Sequence, residues 1–177
     1  MNDKIIMDTN VAAKAATPQE ECKPEEWNMQ EQCIEFIRAF TKNTDSQLVL
    51  DFDYEIIKEY RNRIPDNTPI GKIFWRWFNS YIGKIPFENM AKLEKDADGN
   101  YIMFPLEKRT EEFDRSDRKF VALARTHNEN PPIIEAADGK WLGFKDVFSE
   151  YGVHIEFLDN DYAEMMYDRK VVNKRRS

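Results

Sequence analysis

Four acidic residues stand where a carboxylate could take part in chemistry. Asp8 follows the apolar run "KIIM", Asp138 follows "PPIIEA", and Glu59 and Asp117 lie in segments of helical pattern. Each has an ordinary explanation as a turn, capping or surface residue. If the fold brings them together, four carboxylates repel one another and are partly protonated unless cations balance them. Oxygen-rich sites of this kind suit Mg²⁺ or Mn²⁺, which usually bind phosphate-bearing substrates.

The helical pattern of "YEIIKEYRNRI", residues 54–64, separates Glu59 from Glu55. At about 100° per residue, the apolar positions fix the direction of the buried face. Glu59 lies roughly 115° from that direction, where a carboxylate can reach a cleft, whereas Glu55 lies roughly 155° from it. We therefore expect Glu59 in the site and Glu55 in solvent.

Asp117 begins the helical segment "DRKFVALA". Apolar residues follow it at spacings of three, four and seven, so Asp117 shares their face. The first turn of a helix also stabilises an anion. Asp114 or Ser116 could supply a simple cap, which leaves Asp117 available for another role.

Short apolar runs alternate with helical patterns, which predicts a parallel sheet covered by helices on both faces. The predicted strands are 4–7, 48–52, 131–136 and 154–158; the predicted helices are 29–42, 54–64, 68–85, 117–126 and 143–152. Residues 12–26 have the composition of an exposed connection, and "KLEKDADGNYIMFPLE" that of a hairpin or irregular insertion. Because ligands gather at the carboxyl ends of parallel strands, Asp8 and Asp138 should open into one crevice.

Composition bounds the class of protein. The 177 residues suit one domain, and 41% hydrophobic residues are typical of a globular chain. A net charge of −7 argues against coating nucleic acid non-specifically but allows a local basic site. Since membrane-spanning and secretory patterns are absent from the sequence and Cys22 and Cys33 lack metal-ligand spacing, we expect free thiols in a cytoplasmic protein.

Four segments in order resemble the PIN-domain nucleases: "IIMDTN", "YEIIKEYRNRI", "FDRSDRKFVALA" and "PPIIEAADGKW". The resemblance covers nearly the whole chain. It implies an α/β fold, a three-layer α/β/α sandwich with a central parallel sheet. The implied organisation is a single PIN-like domain over 1–159, with a helical and hairpin insertion at about 65–107, and an acidic-to-basic C-terminal tail at 160–177.

On this resemblance, Asp8, Glu59, Asp117 and Asp138 match the metal-binding acids of the family, and Asn10 matches a small polar position after the first Asp. The implied activity is hydrolysis of RNA phosphodiesters with Mg²⁺ or Mn²⁺. The metal would polarise a phosphate oxygen and help to ionise the attacking water. Several family members are the toxin half of toxin–antitoxin pairs, so the same role is an expectation for this chain.

We predict substrate contacts for Lys119, Arg118 and Lys140, which neighbour Asp117 or Asp138 in the sequence. The implied partners are an RNA substrate, an antitoxin protein and a second copy of the chain in a homodimer. No membrane partner is expected.

Two departures from the family pattern keep an alternative open. Ala136 stands where the family usually has Ser or Thr, and the segment 65–107 exceeds what a compact PIN domain needs. A catalytically degenerate PIN-like protein that binds RNA or another partner is therefore the alternative. An α/β phosphatase is disfavoured, because such enzymes usually have a second Asp where this chain has Asn10.

The aromatic segment "IGKIFWRWFNSYIGKI" has two possible uses. Trp75 or Trp77 could stack on bases, with neighbouring cations on phosphates. The regular helical spacing of its apolar residues favours a core or dimer face instead.

Overall fold

The computed structural model describes residues 4–176, with side chains up to residue 170. The strands are β1 (Lys4–Met7), β2 (Gln47–Leu48), β3 (Leu50–Asp51), β4 (Met90–Ala91), β5 (Ile133–Glu135) and β6 (Ile155–Phe157). The α-helices are α1 (Thr9–Ala16), α2 (Trp27–Lys42), α3 (Glu55–Arg63), α4 (Pro69–Ile82), α5 (Arg118–Thr126), α6 (Gly139–Leu142), α7 (Lys145–Glu150) and α8 (Asn160–Arg176). Within the described chain, no helix is both long and apolar enough to cross a membrane.

A four-stranded parallel sheet in the order β2-β1-β5-β6 lies among the helices. Ile6 lies opposite Ile133 and Met7 opposite Ile134. The central strands β1 and β5 are buried on both faces, which explains why their apolar residues run continuously and do not alternate. The structure confirms the predicted α/β class and the strands near 4–7, 131–136 and 154–158.

The predicted strand 48–52 is divided between two sheets. Its first part, β2, pairs with β1, whereas β3 pairs in parallel with β4 in a separate two-stranded sheet. The strand β4 belongs to the long segment 65–107, which also holds α4 and a tight turn at Gly99 with φ of 80°. Lys95 and Tyr101 form a single antiparallel bridge across that turn, so the expected hairpin is very short.

Two segments that the sequence does not predict as helices contain helices. Residues 9–16 form α1, whose small side chains Ala12, Ala15 and Ala16 are buried, so the exposed connection expected at 12–26 begins only after Ala16. Residues 160–176, within the segment expected as an acidic-to-basic tail, form α8. A Cβ on Gly139 of α6 would lie 2.7 Å from the backbone nitrogen of Tyr167, so α8 packs directly on α6. The side chains of the basic end, 171–177, lie outside the described residues.

The aromatic helix α4 contributes mainly to the core. Phe74, Phe78 and Tyr81 are buried, and the Tyr81 hydroxyl donates to the Leu48 carbonyl at 2.7 Å. Trp75 is half-buried. The core interpretation of this segment is therefore confirmed for its inward face. Cys22 and Cys33 are free thiols, as expected.

Candidate active site: a carboxylate cluster at the edge of the sheet

The order of the strands reverses between β1 and β5. The chain passes from β1 to β2 on one side of β1, and β5 later pairs with β1 on its other side. Loops diverge at such a switch point and open a crevice beyond the carboxyl ends of the strands. Residues that directly follow β1 or end β5 are therefore placed to meet a ligand.

Asp8 follows β1 and is only 2% exposed. It is the N-cap of α1, and its Oδ1 accepts a hydrogen bond from the Asn10 backbone N–H at 2.7 Å. The short step from strand end to helix start holds the carboxyl group at the edge of the sheet. Capping therefore occupies one oxygen and does not displace the side chain from the predicted site.

Glu135, the last residue of β5, was missed by the sequence analysis. It follows Ile134, which lies opposite Met7, so its place in the sheet is beside Asp8. The residue is fully buried; its Oε1 accepts from the Asp138 backbone N–H at 3.2 Å, and its Oε2 has no hydrogen-bond partner among the described residues. An acid closing a buried apolar run, as in "IIE" and "IIMD", was the available signal.

Asp8 and Glu135 cannot both ionise without a large electrostatic cost. Burial, followed by the charges of nearby Asp117 and Glu59, raises the pKa of Asp8 to about 7. Burial and the adjacent Asp8 charge raise the pKa of Glu135 well above its ordinary range. A protonated Glu135 can donate to Asp8, which gives its otherwise unpartnered oxygen a partner. The pair therefore titrates as a unit that holds a proton.

Asp117 adds a third carboxyl group to this edge. It occupies the N-cap position of α5, but its side chain makes no capping hydrogen bond to the described helix. Asp114 organises the preceding turn by accepting from the Ser116 backbone N–H at 2.9 Å. Burial and then the Asp114 charge raise the pKa of Asp117 to about 6. As the sequence suggested, capping does not account for Asp117.

Glu59 reaches the same edge from α3 and is held by neighbours there. The Thr9 hydroxyl donates to it at 2.6 Å, and Arg63 lies 3.7 Å away. The ammonium group of Lys119, a residue only 5% exposed, forms an ion pair with Glu59 and donates to the Ser116 carbonyl. Lys119 thus brings one positive charge into the acidic cluster.

Asp138 approaches the cluster through Glu135. It caps α6 by accepting from the Lys140 backbone N–H at 2.8 Å, and Lys170 of α8 donates to it at 3.2 Å. A cleft of about 180 Å³ is lined by Asn10, Glu135, Asp138 and Lys170. The helix α8, unexpected from the sequence, therefore supplies one wall of the site.

The three cations predicted to bind substrate have different environments. Arg118 is buried, and its guanidinium donates to the carbonyl oxygens of Phe113 and Glu111 at 3.2 and 2.7 Å. Lys119 is buried against Glu59, whereas Lys140 is exposed. Arg118 therefore supports the loop before α5, and its contact with substrate stays a prediction.

The donor types of the cluster, but not their arrangement, are those that Mg²⁺ and Mn²⁺ prefer. Its donors are all oxygens, and one of them, Glu135 Oε2, is buried without a partner in the described chain. The carboxyl groups do not converge on one position. Between residues 4 and 170, no group of three or more His, Cys, Asp or Glu is arranged to hold a metal ion. Glu59 and Asp138 are instead held by Lys119 and Lys170.

The chain matches no known protein-family model, no curated protein and no solved structure.

Proposed function

We propose that the protein is a divalent-metal-dependent endoribonuclease with a PIN-like α/β/α sandwich. The observation that carries the proposal is the placement of Asp8 and Glu135, buried at the ends of neighbouring strands with one carboxylate oxygen unpartnered among the described residues. A parallel α/β sheet binds its ligands at this edge. A group of carboxyl oxygens that is only partly compensated there favours a hard cation.

In this proposal Asp8, Asp117 and Glu135 would hold the cation, and Asp138 would lie on the side of the cleft. A bound Mg²⁺ or Mn²⁺ would supply Lewis-acid stabilisation of a phosphate oxygen and a water nucleophile of lowered pKa. Glu59 is kept in place by Lys119 and Thr9 and adds negative charge at the border of the cluster.

Asn10 and Arg63 bound the site on the side facing α3. The Arg63 guanidinium donates to Asn10 Oδ1 at 3.0 Å, which orients the amide. Arg63 is exposed and can also receive a phosphate. The toxin role, an antitoxin partner, a homodimer and a cytoplasmic location stay predictions.

The direct test is cleavage of a panel of structured and unstructured RNAs by the purified protein with Mn²⁺ or Mg²⁺. We expect cleavage that EDTA abolishes and that Asp8→Asn and Glu135→Gln each reduce at least 100-fold. Glu55→Gln, on the same helix as Glu59 but paired with Lys95 at 2.7 Å, is the matched control. Titration of Mn²⁺ by calorimetry gives a second readout. Intact RNA across the panel together with no Mn²⁺ binding overturns the proposal.

A catalytically degenerate PIN-like protein that binds RNA is the second candidate. Two acids of the predicted metal set, Glu59 and Asp138, are already engaged by lysines, and Ala136 offers no hydroxyl. This candidate predicts RNA binding in EDTA and no cleavage after Mn²⁺ is added. Metal-dependent cleavage that Asp8→Asn removes would eliminate it.

A further inference from the structure

A second, larger cleft opens where α3 ends and α4 begins. It has a volume of about 640 Å³. Arg61 and Arg63 line it from the end of α3, and Trp75 and Asn79 line it from α4. Asp66 is the one carboxylate of its lining. The cleft therefore combines two guanidinium groups with an indole ring.

The turn between the two helices holds this cleft open. Pro65 follows the end of α3, and the Thr68 hydroxyl caps α4 by accepting from the Gly71 backbone N–H at 3.2 Å. A Cβ on Gly71 would lie 1.9 Å from the Pro65 carbonyl oxygen, so the turn packs against the first turn of α4. The cleft is thus preformed.

The indole of Trp75 is fixed within this wall. Its Nε1–H donates to the Ile64 carbonyl at 3.2 Å, and its ring packs against Phe74 and Phe78 with centroids 5.3 and 5.5 Å away. The residue is half-buried and lines the cleft. A base that packs on it therefore meets a ring that needs little reordering, which limits the entropic cost of binding.

The arginines connect this cleft to the carboxylate cluster. Arg63 lines the cleft and also contacts Asn10 at 3.0 Å and Glu59 at 3.7 Å. Arg61 is exposed and forms no ion pair or hydrogen bond within the described part of the chain. It can receive an anion without giving up an existing partner.

We propose that this cleft binds a single-stranded stretch of polynucleotide, with a backbone phosphate at Arg61 and a base against Trp75. Positive grooves interleaved with aromatic rings bind single strands in this way. Through Arg63, the strand continues to the carboxylate cluster, where the phosphodiester to be cleaved lies. The proposal rests on the proposed function for this last connection only.

The test is fluorescence anisotropy of a labelled 12-nucleotide RNA, and of DNA of the same sequence, in EDTA over a range of salt concentrations. Arg61→Ala should weaken binding about fivefold and reduce the slope of log K against log salt by about 0.7, the contribution of one phosphate contact to a single strand. Trp75→Leu should weaken binding about tenfold without changing that slope. Arg76→Ala, exposed on α4 outside the cleft lining, is the matched control and should bind as the wild type does.

The salt slope separates a phosphate contact from a loss of folding, and Arg61 is exposed, so its variant is decisive even if Trp75→Leu is unstable. Weaker binding of both RNA and DNA supports contacts to backbone and base, whereas weaker binding of RNA alone supports an additional contact to the 2′-hydroxyl. Wild-type affinity and slope in Arg61→Ala, or no binding of either strand, overturns the proposal.

The two proposals can fail separately. Metal-dependent cleavage with unchanged binding in Arg61→Ala overturns the cleft assignment alone. Weaker binding and a smaller salt slope in Arg61→Ala, with no cleavage by the wild type in Mn²⁺, support the cleft and overturn the nuclease.

Discussion

Asp8 and Asp51 are both buried aspartates at the carboxyl end of a strand, but their surroundings compensate the carboxylate charge to different extents. Asp51 ends β3, and its two oxygens accept from the backbone N–H groups of Glu55 at 2.8 Å and Ile56 at 3.0 Å. Asp8 receives one backbone N–H, from Asn10, and otherwise faces further carboxyl groups. A helix start can satisfy a buried charge completely. The negative charge around Asp8 is only partly compensated by hydrogen bonds and cations, and such a surplus favours a bound cation.

The sharpest separation of the two aspartates should be in activity. We expect Asp8→Asn to reduce Mn²⁺-dependent RNA cleavage at least 100-fold, because the amide cannot carry the charge that holds the cation. Asp51→Asn should retain cleavage per folded molecule within about threefold. Initial rates at 15 °C, divided by the folded fraction from circular dichroism, measure this. Equal losses in both variants would remove the distinction between them.

The free energy of unfolding should respond in the opposite order, with Asp51→Asn the more damaging of the two variants. Asp51→Asn should lower the free energy of unfolding by about 3 kcal/mol, because the amide can accept only one of the two backbone hydrogen bonds of a buried carboxylate. Asp8→Asn should raise it by about 2 kcal/mol at pH 8, since a buried, repelled charge is removed. Urea unfolding measures both, and Asp53→Asn in the exposed neighbouring turn is the control. A destabilised Asp8→Asn would show that its charge is already compensated.

A bound metal should raise the free energy of unfolding only when the Asp8 carboxylate is present. At a Mg²⁺ or Mn²⁺ concentration 100 times the dissociation constant, the wild type should gain about 2.7 kcal/mol. The gain should persist in Glu55→Gln and vanish in Asp8→Asn, whatever happens to activity. Thermal unfolding with and without metal at pH 8 provides the measurement. A gain of the same size in Asp8→Asn would place the cation elsewhere.

The smallest predicted effect, and the most specific to Asp8, is the dependence of the free energy of unfolding on pH. A carboxyl group whose pKa is raised on folding binds its proton more tightly in the folded state, so it lowers stability as pH rises from about 4 to its folded pKa. For Asp8 the window runs to about 7 and for Asp117 to about 6. The difference in free energy of unfolding between Asp8→Asn and the wild type should therefore widen across pH 4.5–7.5, by about 1 kcal/mol per unit at most. A difference independent of pH would contradict the raised pKa.

Much of the positioning could be predicted from local sequence. The end of a buried apolar run places Asp8 at the sheet edge, and the helical periods of α3 and α5 place Glu59 and Asp117 toward it. These inferences need only the geometry of single elements and the rule that parallel strands end together.

The partners of these acids could not be predicted in that way. Glu135 closes a buried apolar run, which signals its position at the sheet edge, but a strand buried on both faces does not alternate, so the sequence does not show which way the side chain faces. The pair of Lys119 with Glu59 joins residues on two helices far apart in the chain, and Lys170 reaches Asp138 from a helix whose weak amphipathic pattern resembled a tail. Such contacts depend on tertiary packing, which local propensity and periodicity do not predict.

The ion pair between Lys119 and Glu59 offsets part of the acidic repulsion with a covalently attached cation. For the proposed nuclease, we therefore expect the supply of divalent ions to govern activity more strongly than folding. A pool of intact, idle protein could then respond to a change in ion concentration without new synthesis.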